Sequence, residues 1–337
     1  MSPLRLGIVG CGAIVETGHL PATLLTDNVK VNALVDTSLD QARKLAAQYQ
    51  VPRIDADYQA IQEYVDAVLI ATPSHLHVEH AGFFLERGVP VLCEKPLAND
   101  TAGCQQLVDL AAQHQVKLAV GQVRRFFFYA EQLKALVDQG RLGPVQEIHA
   151  DEGYPYGWPA RTDHAFQRHL VPGGVTLDLG VHLLDLFTWL LGPITGLRYA
   201  DDAIGGVESN AEAFIDFASG AHGRFRLSRT CERPNRLVVV GSQGQAEASV
   251  YVPGELTVHL HGTRRPTHLR ASPGQTLISA LAGQLTDFQQ AIVEDRAPRT
   301  AGLDGLAAVQ LVEQCYRQAR GRSLPKEAPI PGVVRWS

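Results

Sequence analysis

The first 120 residues alternate short apolar runs with segments of helical spacing. The apolar runs are LRLGIVG, VKVNALVD, DAVLIATP, VPVLCEKP and VKLAVGQ. Between them, stretches such as LDQARKLAAQY and TAGCQQLVDLAAQH carry apolar residues three and four positions apart, as amphipathic helices do. Strands that are apolar on both faces are typical of a parallel sheet covered by helices on each side. We therefore predict a doubly wound α/β domain over residues 1–121.

The pattern changes after Gly121. Longer segments of alternating polarity follow, namely VQEIHADEGY, NAEAFIDFA, AHGRFRLSRT and RLVVVGSQG. Turn pairs such as Ser219-Gly220 and Gln243-Gly244 join them, which indicates an antiparallel sheet with one solvated face. Helical spacing predicts one strong helix over 174–191, ended by Gly192, and two more near 278–296 and 304–320. We expect an α+β domain over residues 122–337.

Composition and charge narrow the class of protein. Hydrophobic residues make up 45 % of the 337, and the formal net charge is −5, so the chain has no basic stripe for nucleic acid. The first residues lack a signal-peptide pattern, and no apolar run reaches the roughly 18 residues of a membrane span. We expect neither nucleic acid nor a membrane as a partner, and we expect a cytoplasmic location.

The five cysteines are scattered and include no C-x-x-C pair. This distribution favours neither a disulfide framework nor a structural zinc site, and it fits a reducing compartment. We expect no metal site.

A glycine pair follows the first predicted strand. Gly10 and Gly12 allow a tight turn and a close approach of a pyrophosphate, and Ala13 and Ile14 begin a helix whose free N–H groups meet its charge. The second strand ends in Asp36, where an acid can hold the ribose hydroxyls. The alternative is a tight turn beside a solvated aspartate. Because an aspartate there repels a 2′-phosphate, we predict NAD as the cofactor, with NADP as the alternative.

Two further features belong to this nucleotide end. Val15 replaces the third glycine of the fingerprint and must widen the approach of helix to strand. Thr72 and Pro73 follow a strand, where loops at the carboxyl ends of parallel strands face a ligand crevice. The histidines in this segment are His75, His77 and His80. Their spacing lacks a second acidic cluster for a metal, so we assign His75 and His77 to the cofactor site.

The run VLCEKPLA ends a buried strand in a charged pair. The strand carries Lys95 to the crevice expected to hold the nicotinamide, and Glu94 is placed to orient the ammonium and contact the cofactor. Pro96 restricts the lysine backbone to extended conformations. The alternative is a surface ion pair at a strand end.

The predicted helix over 174–191 carries a polar stripe. Asp178, His182 and Asp185 lie at i, i+4 and i+7 and share one face of an otherwise apolar helix. Buried polar side chains need partners, so such a face usually borders a wet cleft. Asp185 can instead be a structural hydrogen-bonding group one turn deeper.

The motifs GIVGCGAIV, ATPSHLHVEHA, CEKP and GGVTLDLGVHLLD, in this order, resemble the glucose-fructose oxidoreductase, inositol dehydrogenase and rhizopine catabolism (Gfo/Idh/MocA) family. The resemblance implies a Rossmann domain followed by an α+β domain with a large, open, mostly antiparallel sheet. It also implies that Lys95, Asp178 and His182 are the catalytic group. Val15 and Pro172, which stands where the family often has the first of three glycines, depart from the pattern.

The activity implied is hydride transfer between a secondary hydroxyl or carbonyl of a sugar or polyol and the nicotinamide. We expect His182 to be the general base, Lys95 to stabilise the alkoxide and Asp178 to position substrate or histidine. Lys95 is the alternative base. A non-catalytic NAD(P)-binding regulator and an NAD-dependent glycosidase of the same family remain alternative functions.

Substrate contacts and assembly complete the expectations. Besides Lys95, Asp178 and His182, the candidates for substrate binding are aromatic and basic residues beyond the first domain: Arg124, Tyr154, Trp158, Arg161 and Arg168. Because the exposed face of a broad sheet needs cover, we expect a homodimer or homotetramer formed through the C-terminal sheet.

Overall fold

A computed structural model describes residues 3–157, 170–203, 207–271 and 275–319. The first part of the chain forms a six-stranded parallel sheet in the order β3-β2-β1-β4-β5-β6. Its strands are β1 (Leu4–Val9), β2 (Val29–Val35), β3 (Arg53–Asp55), β4 (Ala67–Ile70), β5 (Val91–Cys93) and β6 (Leu118–Val120). This is the predicted Rossmann arrangement, and its buried strands carry the apolar runs seen in the sequence.

Strand order places a ligand crevice in this sheet. The chain winds outward in one direction from β1 to β3 and in the other from β4 to β6, so the connections diverge between β1 and β4. Ligands bind at such a switch point, outside the carboxyl ends of the strands. The helices of this part are α1 (Leu20–Thr23), α2 (Leu39–Tyr49), α3 (His77–Leu85) and α4 (Thr101–Gln113).

The second sheet has eight strands in the order β14-β13-β12-β11-β7-β10-β9-β8. Its strands are β7 (Val145–Gly153), β8 (Ile194–Asp201), β9 (Asn210–Phe217), β10 (His222–Ser228), β11 (Arg236–Gly241), β12 (Gly244–Ser249), β13 (Glu255–Leu260) and β14 (Thr267–Arg270). Adjacent strands are antiparallel except β7 and β10, which run parallel. The predicted open, mostly antiparallel sheet is confirmed. Alternate residues face a helix-covered core, and the others form an outer face.

The polar-striped helix forms as predicted, with one irregular turn. A π-helical segment, Thr176–Gly180, leads into α6 (Val181–Leu191), and Gly192 ends the helix with φ +85°. Single π-turns widen a helix locally and are frequent at functional sites. Asp178 lies in this turn.

The remaining helices are α5 (Phe128–Asp138), α7 (Leu277–Val293) and α8 (Gly302–Ala319). Leu281, Leu285 and Phe288 of α7 belong to the apolar core on one side of the first sheet, and Leu306 and Val309 of α8 to the core on its other side. Although late in the chain, both helices therefore cover the nucleotide-binding sheet. The division at 121/122 stays a prediction. Within the described ranges, no helix is both long and apolar enough to cross a membrane.

Candidate active site

A cleft of about 1290 Å³ lies across the carboxyl ends of the first sheet. The loops after β1, β2, β4 and β5 line one side of it, and the π-helical turn, α6 and the ends of the second sheet line the other. A volume of this size is ample for a dinucleotide together with a small substrate.

The glycine loop has the geometry that a pyrophosphate needs. Gly10 has φ +98°, and a Cβ there would come within 2.6 Å of the Ala71 carbonyl oxygen, so only glycine fits. Gly12 faces open space, with no atom within 4 Å of an added Cβ. Gly10, Gly12, Ala13 and Ile14 all line the cleft. The backbone is therefore open to a phosphate ligand, and these residues fit a dinucleotide.

Asp36 directly follows β2 and lines the same cleft. Its carboxylate accepts hydrogen bonds from the backbone N–H groups of Cys11 at 2.6 Å and Ser38 at 2.7 Å. These bonds hold the carboxylate beside the glycine loop. This is the arrangement by which an acid at the end of the second strand meets ribose hydroxyls.

Val15 begins a five-residue π-helical segment, Val15–His19, and its side chain is fully buried in the core. A π-turn is wider than an α-turn. The position that departs from the fingerprint thus coincides with a locally widened helix.

Of the residues after β4 that we predicted to bind the cofactor, some line the cleft and one does not. Thr72, Pro73 and His77 line the cleft, whereas His75 is exposed and lies outside its lining. The two ring nitrogens of His77 lie 2.9 Å from the carbonyl oxygens of Thr72 and Pro96, and burial lowers the pKa of His77. A neutral imidazole donates to one of these oxygens. His77 therefore holds the β4 loop against the β5 loop.

Glu94 accepts no hydrogen bond from the ammonium of Lys95 in the described structure, contrary to the expectation that it orients this group. It accepts hydrogen bonds from His19 Nε2 at 2.7 Å and from the Lys95 backbone N–H at 3.1 Å. Burial alone would raise the pKa of Glu94, but His19 and then Lys95 outweigh it and lower the pKa. The carboxylate thus links the first helix to the backbone of Lys95 on the cleft floor.

Lys95 and Asp178 meet in the cleft. Lys95 Nζ donates to Asp178 Oδ1 at 2.7 Å and to the Asp178 carbonyl oxygen at 3.0 Å, and Arg229 Nη2 donates to Oδ2 at 2.7 Å. Burial on its own raises the pKa of Asp178, but Lys95 and then Arg229 hold it well below its usual range. The side chain is 36 % exposed towards the cleft. Asp178 is therefore an ionised carboxylate with a cation on each oxygen.

His182 lies one turn beyond Asp178 and is 8 % exposed, at the cleft wall. Its Nδ1–H donates to Gln122 Oε1 at 2.9 Å, which leaves Nε2 with a lone pair. Burial, followed by the positive charges of Lys95 and Arg124, lowers the pKa of His182 well below 6.5. The imidazole is therefore neutral at neutral pH and able to accept a proton.

Asp185, the third member of the stripe, is structural. Arg125 donates to it twice, at 2.6 and 2.9 Å, and also pairs with Asp304 at 3.0 Å. Burial raises the pKa of Asp185 to about 6 against the pull of Arg125. Neither Asp185 nor Arg125 lines the cleft. The pair instead fastens α6 to the residues after β6 and to α8.

Besides Lys95, Asp178 and His182, the predicted substrate contacts Arg124 and Tyr154 line the cleft. Arg124 reaches it, but its guanidinium makes two hydrogen bonds, at 2.6 and 2.8 Å, to the buried Glu152. Tyr251 also donates to Glu152, at 2.8 Å, and packs edge to face on Tyr154. Trp158, Arg161 and Arg168 lie outside the described residues.

Glu208 fixes the start of the polar-striped helix through hydrogen bonds. Glu208 accepts hydrogen bonds from the N–H groups of Gly174 at 2.8 Å and Thr176 at 2.9 Å, and from the Tyr316 hydroxyl at 2.8 Å. A Cβ on Gly173 would collide with Tyr316, and one on Gly174 with the Glu208 backbone. These two glycines are therefore required for the close approach that places Asp178.

Sequence reasoning missed several residues of the site. Arg229, Gln122 and Tyr251 line the cleft or bond to its lining, and His19 anchors Glu94. Arg229 follows β10 in the segment RLSRT, which is not a recognisable motif. The other three residues are likewise not part of any motif that we identified. The one usable signal is that Gln122 follows β6, whose carboxyl end faces the crevice.

The chain is similar in sequence to known oxidoreductases. A profile described as an oxidoreductase family with an NAD-binding Rossmann fold matches residues 4–122, and the GFO/IDH/MocA C-terminal domain matches residues 130–264. Rhizopine catabolism protein MocA of Rhizobium meliloti is 29 % identical over 336 residues, which is 97 % of this chain and 98 % of that protein. Inositol 2-dehydrogenase of Rhizobium meliloti is 28 % identical and covers 93 % and 96 %.

Solved structures of known oxidoreductases share the fold of this chain. Aldose-aldose oxidoreductase from Caulobacter crescentus, complexed with glycerol, superposes with a TM-score of 0.86 at 26 % identity over 94 % of this chain and 98 % of its own. Levoglucosan dehydrogenase with NADH and levoglucosan shares the fold, with a TM-score of 0.88 at 18 % identity over 94 % and 97 %. With both domain profiles on one chain and relatives that match it from end to end, this protein belongs to the Gfo/Idh/MocA family of NAD-binding oxidoreductases.

Proposed function

We propose that this protein transfers a hydride between a secondary CH–OH group of a sugar or polyol and the nicotinamide of NAD. The observation that carries the proposal is the convergence of Lys95, from the first sheet, with Asp178 and His182, from the second half of the chain, in one cleft. The relatives named as inositol 2-dehydrogenase and aldose-aldose oxidoreductase support the substrate class.

Lys95 stabilises the substrate oxygen. An ammonium has three N–H donors, and Asp178 accepts from Lys95 Nζ at its side chain and at its carbonyl. One donor remains for the oxygen of the reacting carbon, where negative charge develops as the hydroxyl proton leaves. Because Nζ is engaged as a donor in an ion pair, Lys95 is better suited to this role than to that of base.

His182 accepts the hydroxyl proton at Nε2. The hydrogen bond from Nδ1–H to Gln122 selects the tautomer that leaves Nε2 free. The positive charge of Lys95 lowers the pKa of His182 and would also lower the pKa of a substrate hydroxyl beside it. The difference between the two pKa values therefore stays small enough for His182 to accept the hydroxyl proton. Asp178 positions the lysine.

The cofactor would lie along the glycine loop. Gly10, Gly12, Ala13 and Ile14 would meet its pyrophosphate and Asp36 its ribose, with Thr72 and Pro73 at the next strand end. When bound, NAD supplies or takes up the hydride at its nicotinamide ring.

Assembly and location are part of the proposal. We infer a homodimer or homotetramer formed through the outer face of the eight-stranded sheet, because a broad open sheet favours pairing with a second copy. We also infer a cytoplasmic location, which the buried thiols of Cys93, Cys104 and Cys315 support.

The test is a screen of sugars and polyols with NAD, monitored by NADH absorbance. Reduction of NAD by a polyol supports the proposal. Tight NAD binding without turnover of any member would favour the regulator, and hydrolysis of a glycoside without net NADH would favour the glycosidase.

A further inference from the structure

Arg229 is a buried cation at the substrate end of the cleft. It follows β10, its side chain is 9 % exposed, and it lines the cleft. Its Nη2 donates to Asp178 Oδ2 at 2.7 Å, and its guanidinium carbon lies 5.0 Å from the centre of the Tyr156 ring. The ring and the carboxylate hold the guanidinium in one orientation.

The hydrogen bonds of Arg229 are incomplete. Asp178 is the one hydrogen-bond acceptor of its guanidinium among the described residues, and the Nε–H is buried without a partner. A guanidinium has five N–H donors in a planar fork. A buried donor left unpaired is unfavourable, and a ligand acceptor in the cleft would relieve it.

The charges around Arg229 are also unbalanced. Asp178 divides one negative charge between Lys95 and Arg229. The nearby carboxylates have other partners, since Glu152 pairs with Arg124 and Glu94 accepts from His19. Within the part of the chain that the structure describes, the Arg229 side of Asp178 therefore carries an excess of positive charge.

We propose that Arg229 binds a carboxylate of the substrate, so that the preferred substrate is a polyhydroxy acid, such as an aldonate or a uronate. This inference rests on the proposed function and specifies the substrate class of the same site. A planar guanidinium with free donors matches a carboxylate, whereas a neutral hydroxyl would leave the excess charge in place.

The geometry separates the reacting carbon from the acidic group. Lys95 and Arg229 contact opposite oxygens of the Asp178 carboxylate. A substrate whose reacting hydroxyl lies at Lys95 and His182 therefore extends past Asp178 towards Arg229. We expect the carboxylate to lie one or more carbons from the carbon that is oxidised.

Kinetics on matched substrate pairs test the proposal. We would measure kcat/KM with NAD for D-gluconate against D-sorbitol, and for D-galacturonate against D-galactose. The acid should be preferred about 10- to 100-fold, as expected for a charged hydrogen bond. Arg229→Gln should remove most of that preference, mainly through KM for the acid, and Arg229→Lys should keep part of it. Arg226→Gln is the matched control, because Arg226 lies on the same sheet but lines the opposite, outer face, and it should leave the ratio unchanged.

A binding measurement separates this inference from the proposed function. Titration of the protein–NADH complex with the same four compounds, followed by NADH fluorescence, does not require turnover. Tighter binding of the acids, lost in Arg229→Gln, supports the inference even if no compound is oxidised. If the neutral partners bind or react as well as the acids, or if no acid binds at millimolar concentration, the inference is overturned. Oxidation of the neutral compounds in that case leaves the proposed function standing.

Discussion

Lys95 Nζ lies 2.7 Å from Asp178 Oδ1, although 83 positions separate the two residues in the chain. The first sheet delivers the lysine at the carboxyl end of β5, and a π-helical turn of the second half presents the carboxylate. This contact joins the side of the cleft formed by the first sheet to the side formed by the second part of the chain, and the proposed chemistry depends on it.

Removing either proposed reacting group should slow turnover without loss of cofactor. We expect Lys95→Ala and His182→Ala each to lower kcat by about 10² or more, since each handles charge or a proton in the transition state. Steady-state rates and the NADH binding constant are the measurements. Lys117→Ala is a suitable control, because it removes an ion pair with Asp295 that lies outside the cleft lining. Near-normal turnover in both active-site variants would contradict the assignment.

The pH profile should reflect the lowered pKa of His182. Its neutral form is the acceptor, so oxidation should proceed fully above the folded pKa and fall only as pH drops through it. Because burial, Lys95 and Arg124 place that pKa well below 6.5, kcat/KM should show no acid limb at 6.5. A limb at or above 6.5 that disappears in His182→Ala would refute this.

Cofactor choice should depend on Asp36. Asp36→Ala removes the carboxylate that we propose binds the ribose, so NAD should bind about tenfold more weakly and discrimination against NADP should relax. Asp40→Ala is a matched control, because Asp40 is an exposed acid on the following helix that pairs with Arg43 outside the cleft lining. Kinetics with both cofactors give the ratio, and an unchanged ratio in Asp36→Ala would remove that residue from the site.

The Arg125–Asp185 pair should matter for stability more than for chemistry. Asp185→Ala leaves a buried guanidinium with its chief partner gone, which costs roughly 3–5 kcal/mol of the free energy of unfolding. Denaturant unfolding measures the loss. The double variant Arg125→Met/Asp185→Leu should recover much of it, because neither charge is then buried alone. Equal losses in the single and double variants would contradict the explanation.

Assembly should involve the outer face of the eight-stranded sheet. Phe214 on β9 is 42 % exposed there, between Arg198 and Arg224. Light scattering should give the mass of a dimer or tetramer, and Phe214→Asp should shift it towards the monomer. A monomeric wild-type protein at high concentration would exclude this interface.

The sequence alone determined the two sheets, the polar-striped helix and the nucleotide-binding loop. Each of these features is predicted by a short stretch of the sequence. Apolar runs indicate the buried parallel strands, alternating polarity indicates the open sheet, and Gly10 and Gly12 between a strand and a helix indicate the loop. The spacing of Asp178 and His182 is equally local, since residues four apart share a helix face. Their partnership with Lys95 followed from the resemblance of the motifs to a known family.

Only the tertiary structure decided which charge pairs with which. Sequence left Asp185 between a site role and a structural one, and the return of the chain at Arg125 assigned it to the fold. Glu94 accepts a hydrogen bond from His19 and none from the neighbouring ammonium. Arg229, which follows a strand and belongs to no motif, donates to Asp178 in the site. The physical reason is that periodicity specifies which face of an element is buried, whereas the partner of a buried charge depends on whichever distant segment packs against that face.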